Sequence, residues 1–118
     1  MRANIRRLHS PDIADLPTWR PDVPDNFGFL LQILAGPADG IGEESFDVTV
    51  CTPKWLAEKY GPNGVVSGLH HLIVFDYNYR KLVAHIERAV HSAEGRTWNE
   101  IASVLAKFGH WEFEEYRD

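Results

Sequence analysis

Residues 27–52 constrain this chain more than any other stretch. Phe27 to Ala35 (Phe-Gly-Phe-Leu-Leu-Gln-Ile-Leu-Ala) is nearly all apolar, the pattern of a central strand covered on both faces. Gly36-Pro37-Ala38-Asp39-Gly40-Ile41-Gly42 is a turn cluster. Glu44 to Thr52 then alternates, with Phe46, Val48 and Val50 facing one way and Ser45, Asp47, Thr49 and Cys51 the other, the period of a half-buried strand. Together the two predict an antiparallel hairpin with a longish loop.

Ala3 to Leu8 fits a short strand. His9 to Asn26 carries Pro11, Pro17, Pro21 and Pro24, a density that removes backbone donors and forbids a regular helix or central strand. It reads as an ordered connector with a turn at Asp12–Leu16, pinned to the body by Ile13 and Trp19. Thr52-Pro53 is a helix start, Thr as N-cap and Pro at the first helical position, and the helix Pro53 to Tyr60 stops at Gly61-Pro62-Asn63-Gly64. Gly68 to Phe75 is a further strand, with Leu72-Ile73-Val74-Phe75 as its buried end.

A second helix, capped by Asp76 or Asn78, runs to about Ala93. Leu82, Val83, Ile86, Ala89 and Val90 repeat along one face at three- and four-residue intervals. Thr97-Trp98-Asn99-Glu100 is a capping box, and the third helix sets Trp98, Ile101, Ala102, Leu105 and Phe108 on one stripe before Gly109. Trp111 to Tyr116 alternates aromatic and acidic residues and closes the domain as a short strand. The expected fold is α+β: an antiparallel sheet of four to five strands with two to three helices packed on one face. At 118 residues, 44% hydrophobic and 25% charged, the chain is one domain, 1–118, large enough to bury roughly two thirds of its unfolded surface.

Charge is unevenly spread. The formal net charge is −5. Residues 11–50 carry Asp12, Asp15, Asp22, Asp25, Asp39, Glu43, Glu44 and Asp47 against Arg20 alone, and the segment from 97 onward carries five acids against Lys107 and Arg117. Such a balance repels phosphate, which counts against nucleic acid as a partner, and attracts a basic protein; a plain solubilising surface would look the same. No apolar run approaches the about 20 residues of a membrane span, and no secretory signal opens the chain. With a single cysteine, Cys51, no internal disulfide is possible, and a reducing cytoplasm is the expected compartment, with no membrane partner.

Catalytic and metal chemistry find little support. His70 and His71 are adjacent in an expected strand and point to opposite faces, while His85 and His91 lie on different sides of a helix. No Cys or His pair has zinc spacing, so neither a metal nor another cofactor is expected. Cys51, just before a helix start, is either a nucleophile partnered by a histidine or a small core hydrophobe. Trp98 and Trp111 read as core, whereas Tyr77, Tyr79 and Tyr116, each flanked by charge, read as interface anchors. The residue pattern therefore favours binding over catalysis.

Several stretches taken in order carry a resemblance. They are His9-Ser10-Pro11-Asp12; Asn26-Phe27-Gly28-Phe29-Leu30-Leu31-Gln32; Gly42-Glu43-Glu44-Ser45-Phe46-Asp47-Val48; Val50-Cys51-Thr52-Pro53-Lys54-Trp55-Leu56; Leu72-Ile73-Val74-Phe75-Asp76-Tyr77; and Thr97-Trp98-Asn99-Glu100-Ile101-Ala102 with Phe108-Gly109-His110-Trp111-Glu112-Phe113-Glu114. This set resembles the immunity protein 8 family over essentially the whole chain. The resemblance implies a cytoplasmic protein encoded beside a polymorphic or contact-dependent toxin, protecting its own cell by binding the toxin domain without chemistry of its own. Many such toxins are nucleases with basic clefts, which an acidic inhibitor would meet partly as a phosphate mimic. The expected contact residues are Asp39, Glu43, Glu44 and Asp47 around the hairpin and Glu112, Glu114, Glu115 and Tyr116 in the tail. The competing readings are an interaction or regulatory module with no toxin partner, and a small enzyme using Cys51 with a histidine.

Overall fold

A computed structural model of the chain describes residues 1–113. The hairpin forms as expected. Strand β2 (Gly28–Pro37) pairs antiparallel with β3 (Glu44–Cys51), Phe29 opposite Val50 and Ile33 opposite Phe46. Strand β1 (Ala3–His9) lies antiparallel on the other side of β2, and its register slips between Ile5 and Arg7, so Arg6 is the extra residue of a β-bulge. The prolines of the connector keep it out of the sheet but do not leave it loose. Ile13 and Leu16 are buried, and Trp19 sets its ring edge-on to Phe27, Phe29 and Tyr77 with centroids 4.8–5.4 Å away.

Helix α1 (Pro53–Tyr60) begins where its capping signals place it. Thr52 accepts the amide of Trp55 at 3.4 Å, and the same buried hydroxyl accepts the amide of Phe27 at 3.2 Å, so one side chain caps the helix and closes the end of the β2–β3 pair. Beyond a 3-10 turn at Gly61–Asn63, strand β4 (His71–Ile73) joins β3 in parallel, Val50 beside Leu72. A parallel pair needs a crossover of a dozen or more residues, and α1 with its following loop provides it. Helices α2 (Tyr79–Ser92) and α3 (Trp98–Leu105) follow, capped by Asn78 and Thr97, and strand β5 (His110–Trp111) returns antiparallel to β3 at Phe46 and Asp47. The result is an α+β fold with a five-stranded sheet in the order β1-β2-β3-β4, β5 sharing the outer side of β3 with β4.

The core lies on one face. Phe29, Leu31, Ile33 and Ala35 of β2 and Phe46, Val48 and Val50 of β3 meet Leu82, Ile86 and Val90 of α2 and Ile101, Ala102 and Leu105 of α3. Several expectations are corrected. Strand β2 is not covered along both faces: its burial alternates, and Leu30, Gln32 and Leu34 are half-exposed. Its second face is covered at one end by α1, where a Cβ on Gly28 would stand 2.3 Å from the Trp55 ring; α1 therefore packs opposite α2 and α3, because the crossover passes on that side. The strand expected over Gly68–Phe75 is only three residues long, since His70 adopts a left-handed backbone (φ 62°), and Ile73 and Phe75, expected to be buried, are 45% and 80% exposed. Finally, α3 ends at Leu105 and a turn carries Phe108 back onto the core. The tail strand expected over Trp111–Tyr116 is shorter: β5 ends at Trp111, Glu112 and Phe113 form a turn, and residues 114–116 lie outside the described residues.

Candidate functional site

Arg6 adds side-chain support to the β2–β3 loop, residues 38–43, beyond its backbone bonds from Ala38 to Arg2 and from Gly40 to Pro37. Placed by the bulge, the Arg6 guanidinium donates from one η nitrogen to the carbonyls of Pro37 (2.6 Å) and Gly40 (2.9 Å) and from Nε to that of Gly42 (3.2 Å). The planar fork of arginine suits three converging carbonyls, and its bonds are charge-assisted. Gly36 makes this clasp possible, because a Cβ there would stand 2.1 Å from the Gly42 carbonyl oxygen. The clasped loop presents Asp39 to solvent together with Ile41, which is 96% exposed. Neither the bulge nor the clasp was legible in the sequence, where Arg6 is one arginine in a weak strand pattern.

The other hairpin acids are held in a network. Glu43 pairs with Arg7 at 3.3 Å in the open. Glu44, one residue on, spreads its two oxygens to the indole N–H groups of Trp98 (2.5 Å) and Trp111 (3.1 Å), tying α3 and β5 to the start of β3. Asp47 accepts the Ser45 hydroxyl at 2.5 Å. Glu112 accepts the backbone N–H of Ser45 at 2.7 Å, and its own amide donates to the Ser45 carbonyl at 3.2 Å. Hairpin and tail acids, distant in sequence, thus adjoin one another along the first residues of β3. Within that group Asp39 and Glu43 are exposed to an approaching partner, while Glu44 and Asp47 are half-buried and engaged within the fold. Glu114, Glu115 and Tyr116 lie outside the described residues.

The remaining candidates fall elsewhere. Tyr77, expected as an interface anchor, is packed against Trp19, Phe27 and Phe29 and donates its hydroxyl to the Leu16 carbonyl at 2.5 Å; it tethers the connector. Burial, with Tyr79 and Asp15 nearby, pushes its phenol up to about 12. Tyr79 is half-buried at the start of α2 against the core. Cys51 is fully buried, and burial raises its thiol pKa although Lys59 pulls it down. A nucleophilic cysteine needs the reverse, exposure and a lowered pKa. His70 donates from Nε2 to the Ala106 carbonyl at 2.8 Å, whereas His71 turns toward Leu69 and Tyr60. Among the described residues no group of three or more His, Cys, Asp or Glu could hold a metal ion, and no helix is long and apolar enough to cross a membrane.

The family model described as Immunity protein 8 matches residues 3–116. No curated protein and no solved structure matches the chain.

Proposed function

The chain belongs to the immunity protein 8 family, and on that membership we propose that it binds and neutralises a cognate toxin domain in the cytoplasm of the bacterium that makes both, by covering the toxin's active site or substrate surface. The observation that carries the choice of surface is the Arg6 clasp, which gives the hairpin loop a fixed shape before any partner arrives and holds Asp39 outward. A preorganised loop loses little conformational freedom on docking. Asp39 and Glu43 would make the charged contacts, Glu44, Asp47 and Glu112 would hold the surface in shape, and Glu114, Glu115 and Tyr116 would extend it. The acidic balance supports a basic partner, a nuclease with a phosphate-binding cleft among them, since opposite charge steers encounter and raises the association rate.

The test is stopped-flow association with the toxin domain encoded beside this chain. Reversing Asp39 and Glu43 to lysine should slow association by about tenfold or more at low salt and flatten its salt dependence. Unchanged rates and an unchanged salt slope would remove the acidic hairpin from the interface, leaving the family assignment intact.

A further inference from the structure

The two outer edges of the sheet are built differently. Strand β1 is guarded: it is bulged at Arg6, and its start is held by Arg2, which donates to the His91 carbonyl at 2.8 Å and pairs with Glu94 at 3.3 Å, while Arg2 and Glu94 form a β-bridge. These are the devices that keep an edge from recruiting another strand. Strand β4 has one such device, its shortness of three residues, but it pairs with β3 without a bulge. The Thr49 amide donates to the His70 carbonyl and the Val74 amide to the Cys51 carbonyl, both at 2.9 Å. Alternate residues of a parallel strand bond the same neighbour, so Ile73, the last residue of β4, turns its amide away from β3. Among the described residues no strand meets that side.

The side chains around this edge are arranged for an extended visitor. Ile73 and Phe75 stand between two grooves and line both. One groove runs along α1 past Leu56, Tyr60 and Val65, the last 80% exposed. The other runs to the start of α2 past Leu82, Lys81 and His85. An added strand projects side chains alternately to its two faces, and here each face would find an apolar trough. Between residues 53 and 85 the chain carries Lys54, Lys59, Arg80 and Lys81 against Glu58 and Asp76, a net positive stretch in a chain of net charge −5. Lys59 lies over the Trp55 ring at 4.7 Å and 5.7 Å from the centroid of Tyr60, which lines one groove, and Lys81 lines the other together with Asp76. A second copy of this chain, pairing β4 to β4, would bring the same lysines face to face. An acidic partner strand would not.

We propose that the open edge of β4, with the grooves on either side of Phe75, receives an extended segment of the toxin domain that alternates apolar residues and carries acidic flanks, adding one strand to the sheet. This rests on the toxin-binding reading and assigns it a second contact area with the opposite charge preference to the hairpin.

The experiment titrates the full chain with the toxin domain encoded beside it and follows amide exchange in the free and bound protein. Phe75→Glu places a charge between the grooves on an already exposed side chain, and Ile73→Pro removes an outward amide without touching the ladder to β3. Each should weaken binding by about 30-fold or more, and the amide of Ile73 should exchange more slowly in the wild-type complex. If the wild-type chain binds and both variants bind equally well, or if that amide exchanges as before, strand addition at β4 is wrong while toxin binding stands. If the wild-type chain does not bind the toxin domain, the functional reading itself falls. If sedimentation shows that the wild-type chain pairs with itself and Phe75→Glu makes it monomeric, the occupant is a second copy, and the toxin segment is excluded.

Discussion

Glu44 shows how much one side chain can be asked to do. Its carboxylate joins the first residue of β3 to Trp98 on α3 and Trp111 on β5, while the Trp111 ring stacks on Phe46 with centroids 6.2 Å apart. Truncation would remove the carboxylate to which both indole N–H groups donate, and hydrogen bonds to charged groups matter more than neutral ones. Glu44→Ala should lower unfolding stability by about 2–3 kcal/mol, read as a fall in the denaturant midpoint at unchanged slope, with a shift in tryptophan emission. Tyr77 adds a pH signature. Its folded pKa of about 12 lies above the ordinary value of 10, so the folded state holds the phenolic proton longer than the unfolded chain. Its contribution is fully present below pH 10 and is lost as pH rises toward 12. Comparing Tyr77→Phe with the wild type between pH 9 and 11.5 should show that part of the alkaline loss disappears; parallel curves would mean that the phenol does not feel its burial.

At the level of elements, the hairpin, the helix caps at Thr52, Asn78 and Thr97, and the burying stripe of α2 were legible because each is local: a period, a turn cluster or a cap fixes it within a few residues. What was not legible depends on contacts across the fold. The apolar run of β2 looked like a strand covered along its whole length, yet only its first residues are roofed by α1, and that roof follows from the parallel crossover into β4. The capping box formed in a shifted version, Glu100 reaching back to the Arg96 amide at 2.7 Å, one residue before the cap. Gly28 is where the α1 packing can be tested. It is paired with Cys51 across the ladder and lies under Trp55. Gly28→Val should force the indole outward, cost about 1–3 kcal/mol, and make the buried Cys51 thiol react faster with a thiol reagent. Loss of stability with no gain in reactivity would mean that α1 is not what seals the cysteine.

Over the whole molecule, the charge asymmetry was visible in the sequence but its use was not. The acids of residues 11–50 and those beyond 97 read as two clusters, and β5 lays Glu112 alongside Ser45, between Glu44 and Asp47, so that they adjoin in one region. Several of those carboxylates hold the fold together, and counting charges along the chain cannot separate such groups from free ones. The apolar ridge at Ile73 and Phe75 was hidden for a related reason: its residues match a buried strand end, and only the left-handed His70 and the short β4 leave them outside. The bulge that places Arg6 on the hairpin loop has a consequence for assembly as well. With β1 closed to pairing, a sheet extended at β4 has nowhere to grow on its far side, so each molecule is a chain terminator, able to end in a one-to-one complex but not to propagate a filament.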